Sequence, residues 1–295
     1  MNSEFKLHDM DMREPLFEFL EENWQEVLPE DRPEGDACAV QGKMTSADRQ
    51  HPCRTRIFEE LPIGDSRADA VLVTESELCG IEIKSDADSY TRLKTQIPDY
   101  SRYFDRNLLV VGSTHAMHAA GHIPDWWGIL SVELEQDGRW DFYIVRRPLL
   151  NPAAQDQVGA AQELLQHKLS LLWRAELSHI QQQLDMPKYT GKSRTFVSAK
   201  IAQSCQIINH GDGSSGLLSD NSNDENRSAG SLQEINRWIS EELLQRDYTK
   251  AHESAEKGSG RRESSGKKAK SPTAGLSALR RRRSPVRRAR QARRK

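Results

Sequence analysis

The sequence predicts an α/β sandwich with a mixed central sheet, on three observations. Residues 67–104 read as strand, turn, strand and then helix. Three further apolar runs downstream (Leu108–Val111, Gly128–Val132 and Phe142–Val145) have strand length and β-branched content. Two segments with helical period, 10–28 and 160–184, flank them, giving the order αβββαβ followed by more αβ material.

Leu16, Phe17, Leu20, Trp24, Val27 and Leu28 make one stripe of a first helix, which Asp9 or Asp11 can cap and whose first turn suits Pro15. Residues 29–52 are rich in proline, glycine and charge and read as a long loop. Thr55–Leu61 alternates loosely as a first strand, and Pro62–Asp65 is a turn into the second. Asp86 or Asp88 is placed to cap the helix after the third strand. Leu93, Ile97, Tyr100 and Phe104 form that helix's apolar face, with Pro98 implying a kink or a late start. Asp137-Gly138 is a hairpin turn. Ala160–Leu184 reads as one long helix with the stripe Leu164, Leu165, Leu169, Leu172, Trp173, Leu177, Ile180 and Leu184, for packing or, alternatively, for a homodimer contact. Thr195–Ile208 and Leu232–Leu244 read as two shorter helices around a low-complexity segment.

This divides the chain into a core at 1–150, a packing helix at 151–187, a helical accessory region at 188–248 and a disordered basic tail at 249–295. Between 250 and 295 there are 17 basic and 3 acidic residues, leaving 25 basic and 41 acidic in the rest. A basic arm on an acidic body follows. Its Arg280, Arg281, Arg282, Arg283, Arg287 and Arg288 have no interleaved aromatics, so they suit sequence-independent, salt-sensitive binding of DNA or another polyanion.

The chemistry concentrates in the second and third strands. With side chains alternating, Glu82 and Lys84 share one face while Cys79, Ile81 and Ile83 share the other. A hairpin then brings Asp69 beside them. Two carboxylates and an ammonium grouped at a strand end invite a divalent cation, held by carboxylates, waters and a phosphate oxygen.

Asp69, then twelve residues, then Glu82-Ile83-Lys84 resembles the PD-(D/E)xK signature of the restriction-endonuclease-like nucleases, with Ala68 in place of the proline. Gln96-Ile97-Pro98-Asp99-Tyr100 resembles the QxxxY motif of the RecB-like branch. Together with Arg13-Glu14 and Leu172-Trp173-Arg174, the segment 10–180 looks similar to a small bacterial and phage family related to MmcB-type DNA-repair proteins. The resemblance implies a restriction-endonuclease-like core and a magnesium-dependent deoxyribonuclease. In it Asp69, Glu82 and the Ile83 carbonyl hold Mg²⁺ or Mn²⁺ and Lys84 meets the attacking water or the phosphate. Gln96 orients that water or a carboxylate, and Tyr100 orders the helix or touches DNA. Glu14 is a metal ligand by resemblance, or only a favourable charge at a helix start. Arg92, Lys94 and Arg102, on the helix's exposed side, are the expected DNA contacts. The three clustered cysteines of the iron–sulfur relatives are absent, so no cluster is expected.

Other chemistries fit less well. His115, His118 and His122 have zinc-compatible spacing without a fourth ligand. There is no nucleophile elbow, and GDGSSG lacks a phosphate loop's lysine and preceding strand. With no secretory pattern, no apolar run of membrane length and irregularly spaced Cys38, Cys53, Cys79 and Cys205, a reduced, cytoplasmic protein is expected. The rival to an enzyme is a non-catalytic nucleic-acid-binding module on the same scaffold.

Overall fold

A computed structural model describes residues 7–28, 54–155, 158–205, 230–247 and 290–291. Six strands form a mixed sheet in sequential order: β1 (Arg56–Ile63), β2 (Ser66–Val73), β3 (Leu78–Lys84), β4 (Arg106–Gly112), β5 (Gly128–Leu134) and β6 (Trp140–Arg146). β1, β2 and β3 form an antiparallel meander, β3–β4 and β4–β5 are parallel, and β5–β6 is antiparallel. A two-residue strand, β7 (Arg290–Gln291), extends the sheet parallel to β6. The remainder of the predicted tail, including Arg280–Arg283, Arg287 and Arg288, lies outside the described residues, as do Cys38, Cys53 and the loop at 29–52.

The alternation of the strands sorts their side chains into two apolar layers. On one face Ala70, Leu72, Cys79, Ile81, Ile83, Leu108, Val110, Leu130 and Val132 pack under helix α1 (Asp9–Val27), where Phe19 stacks on Phe142 at 4.3 Å. On the other face Val71, Val73, Leu78, Leu109 and Val111 pack under α2 (Leu93–Tyr103) and the C-terminal helices. The predicted αβββαβ order is therefore present, and β3 and β4 are buried along their whole length, as covered parallel strands require.

Several local expectations are corrected. Asp11 accepts from the His8 N–H at the start of α1 (3.1 Å), while Asp9 pairs with Arg13. Pro15 stands within the helix, two residues beyond Arg13, rather than in its first turn. Neither Asp86 nor Asp88 caps α2: Asp88 accepts from the N–H and hydroxyl of Ser85, and Asp86 accepts from Thr114. α2 instead follows a 3₁₀ turn at Tyr90–Arg92 and continues through Pro98. Pro62 and Ile63 belong to β1, so the turn is Gly64-Asp65. Gly64 has φ +56°, and a Cβ there would stand 2.7 Å from the Asp99 carboxylate.

The long helix at 160–184 is two helices, α4 (Val158–Ser170) and α5 (Arg174–Gln183), after a short α3 (Pro152–Gln155). Two interactions break the run. Glu176 folds back to accept the Trp173 N–H at 2.6 Å, starting a new helix, and Arg246 donates to the Leu171 carbonyl at 2.9 Å. Leu164, Leu165, Leu169, Leu172, Leu177 and Ile180 are buried within the chain, so this stripe is core and not a dimer surface. α6 (Arg194–Ser204) and α7 (Leu232–Gln245) join the same cluster through Val197, Ile201, Ile235, Ile239 and Leu243.

Buried ion pairs fasten this helical layer. Lys168 donates to both oxygens of Asp105 (2.8 and 2.7 Å) and to Asn236, while Asp105 also accepts the Leu78 N–H. Arg246 forms a two-pronged pair with Glu176, 2.7 Å on each arm. Removing one member of such a pair leaves an uncompensated buried charge. Lys168→Met should therefore cost about 3–5 kcal/mol in chemical denaturation, and adding Asp105→Asn should recover much of the loss.

Candidate active site

The sheet opens at Asp69. The β1–β2 ladder pairs Glu59 with Ala70 and Leu61 with Ala68 but skips the Glu60–Asp69 position. The β2–β3 ladder ends at Ala70–Ile81, so Asp69 and Glu82 are not ladder partners. Opposite the gap, Glu60 has φ +56°, a left-handed backbone that a residue with a Cβ adopts at a cost. Side chains fill the vacated ladder positions. Asp69 Oδ2 accepts the Ile83 N–H at 2.8 Å, and the Tyr100 hydroxyl accepts the Asp69 N–H at 3.2 Å.

Tyr100 then ties the pair together. Its hydroxyl donates to Glu82 Oε2 at 2.7 Å, with the Ile81 carbonyl 3.1 Å away, and Lys84 Nζ is ion-paired with Glu82 Oε1. The sequence motifs Asp69, Glu82, Ile83, Lys84 and Tyr100 are thus brought into one cluster by the middle of β2, the end of β3 and one helix. Gln96 lies one turn before Tyr100 on α2, and its Oε1 is buried without a hydrogen-bond partner. Gly80 lets α2 sit so low: a Cβ there would meet the Phe104 ring at 2.2 Å.

Glu14 is exposed on α1, and its neighbour Arg13 makes the contact with the cluster, because Arg13 shares the inward stripe with Met12, Leu16 and Leu20. Among the described residues no three His, Cys, Asp or Glu side chains gather as a cation cage, so Glu14 does not complete one with Asp69 and Glu82, nor do His115, His118 and His122. Tyr100 is wholly buried, the placement that suits the ordering one of its two expected roles. Arg92, Lys94 and Arg102 are exposed as expected, although Arg102 approaches Asp99 at 3.4 Å.

Arg13 is the residue that sequence reasoning passed over. Its guanidinium spans Asp9 (2.9 Å), Glu60 (2.8 Å), Asp69 Oδ1 (3.5 Å) and the Asp69 carbonyl (3.3 Å). The signal was the Asp9–Arg13 spacing of i,i+4 on the buried face of a helix, a pairing that asks for further carboxylates.

Charge crowding marks Asp69. Burial, and next the Glu82 carboxylate, push it up to about 7, while the Ile83 N–H, Lys84 and Arg13 pull the other way. The Tyr100 phenol is pushed well above its usual range by burial and by both carboxylates, so it remains a donor. An acid whose folded pKa is raised favours folding while protonated. Its contribution is complete below the unfolded carboxylate range and is lost as pH rises through about 7. Asp69→Asn should remove that loss. In denaturation from about pH 5 to about pH 8, the variant should gain about 1–3 kcal/mol relative to wild type, and an unchanged difference would contradict the assignment.

Comparison with known proteins bears on the site's setting. No curated protein and no solved structure matches the chain. Residues 40–210, which include β1 to β6 and the whole motif from Asp69 to Tyr100, match the family model described as bacteriophage P4 protein cII. That span is more than half of the 295 residues, and the chain belongs to the bacteriophage P4 cII family.

Proposed function

We propose that this phage-related protein is a metal-dependent nuclease hydrolysing DNA phosphodiester bonds, serving phage or mobile-element DNA processing or DNA repair. The reading rests on one observation: Asp69, Glu82, Lys84 and Tyr100 converge where the β2–β3 ladder ends, with Asp69 held near neutral pKa. Grouped buried carboxylates of this kind are costly, and a divalent cation relieves that cost.

The donor set fits Mg²⁺ or Mn²⁺. Asp69 and Glu82 would hold the ion with the Ile83 carbonyl, and a bound ion would neutralise phosphoryl oxygens and lower the pKa of a water. The chain's own groups supply the rest. The Ile83 N–H fixes one Asp69 oxygen, leaving the other beside Arg13. The Tyr100 hydroxyl fixes one Glu82 oxygen, and Lys84 holds the second. Lys84 carries a positive charge to the point where negative charge grows on the phosphate. The unpaired Gln96 Oε1 is an acceptor available to orient a water.

A second reading has its own support. Lys84 already neutralises Glu82, and among the described residues the cluster has two carboxylates and no third protein ligand of the acidic, histidine or cysteine type. A binding module on the same scaffold would look similar. The two separate in a cleavage assay with plasmid and single-stranded DNA in Mg²⁺ or Mn²⁺. Asp69→Ala and Lys84→Ala should each lower cleavage by at least about 100-fold. DNA retention should stay nearly unchanged, since the basic arm supplies it. Cleavage by both variants at the wild-type rate would sink this site assignment, whereas DNA retention without any cleavage by the wild type would leave the binding module.

A further inference from the structure

Beside the candidate site, the loops that leave β3 and β4 carry aromatic and imidazole rings that the reading above does not use. Both loops leave the carboxyl ends of adjacent parallel strands, the position where open α/β sheets take ligands. The first loop begins at Ser85, directly after Lys84, and reaches Tyr90. The second runs from Ser113 to Trp127. Asp86 tethers them by accepting from the N–H and hydroxyl of Thr114.

The Tyr90 ring lies in the stack. Its centroid is 4.2 Å from His122 with an interplanar angle of 24°, and His115 meets it edge-on at 5.2 Å and 72°. The Tyr90 hydroxyl donates to the His115 carbonyl at 3.3 Å, which fixes the ring's direction. Burial raises the phenol to about 12, so the ring stays neutral. His122 and Met117 are exposed, Met117 at 88%. Arg92 and Lys94, two and four residues after Tyr90, are exposed and make no ion pair with a described residue. His115 Nε2 is buried with no hydrogen-bond partner.

We infer that Tyr90 and His122 form a stacking platform for an unpaired nucleotide, with Arg92 and Lys94 holding its flanking phosphates, so that the preferred substrate is single-stranded or splayed nucleic acid. The inference rests on the nuclease reading for its location but not for its binding chemistry. Flat rings accept the π-face of any base, whereas a paired base within a duplex hides its faces in its own stack. Cations next to the rings match the sugar–phosphate chain.

The test uses the full-length chain, fluorescently labelled oligothymidylate and a duplex of the same length. Anisotropy is read in chelator, so cleavage plays no part, and at elevated salt, so the basic arm contributes little. Tyr90→Ala should weaken single-strand binding by about tenfold while changing duplex binding less than about twofold. Tyr90→Phe, which keeps the ring, should stay near wild type, and His122→Ala should follow Tyr90→Ala in direction. Far-ultraviolet circular dichroism checks that each variant folds, and the Tyr90→Phe comparison stands if Tyr90→Ala does not. Wild-type single-strand affinity in Tyr90→Ala, equal losses for single strand and duplex, or loss in Tyr90→Phe would overturn the platform. Because binding is read without metal, a wild type that cuts no DNA would sink the nuclease reading and leave this result standing.

Discussion

The site depends on one constraint: two carboxylates, Asp69 and Glu82, share a poorly solvated corner where the sheet's hydrogen-bond ladder stops. Burial alone penalises their charge, and their proximity adds to the penalty, which is why Asp69 sits at about 7. The surrounding chain answers that penalty from every side. α1 contributes Arg13, β3 contributes Lys84 and the Ile83 N–H, and α2 contributes the Tyr100 hydroxyl. α1 and α2 cover opposite faces of the sheet, so the cluster links both apolar layers.

The same logic explains where the fold is irregular. Continuing the ladders through Asp69 would pair its backbone with Glu60 and Glu82 and leave no gap for side chains to enter. The left-handed Glu60 and the missing pairs at Asp69 are the backbone's share of that opening. Next to it β3 and β4 pair without interruption and are buried along their length, and the C-terminal helices are locked by Lys168–Asp105 and Arg246–Glu176. The stiff part of the molecule therefore supports the part that has given up regular pairing.

Much of this was legible in the residues. Period-two alternation placed Glu82 and Lys84 on one face and Ile81 and Ile83 on the other, and the structure keeps that division. The QxxxY spacing put Gln96 and Tyr100 on one side of α2, although only contact geometry reveals that Tyr100 points inward to both carboxylates. The division of residues 160–184 was hidden, because leucine periodicity persists across the break. What ends α4 is a distant arginine, Arg246, together with a cap made by Glu176. Arg13 was hidden for a similar reason: its partners Glu60 and Asp69 are far away in sequence. Of the two readings left open for Glu14, the inward one belongs to its neighbour: one residue on a helix is about a hundred degrees of rotation, and it is Arg13 that faces the cluster.

The most direct measurement is titration calorimetry of the metal-free chain with Mn²⁺, wild type against Asp69→Ala. The account predicts a single site in the wild type, with proton release on binding because the Asp69 carboxyl is partly protonated near neutral pH, and loss of that site in the variant. Equal Mn²⁺ binding by both proteins, or none by the wild type, would contradict a metal site built on Asp69 and Glu82.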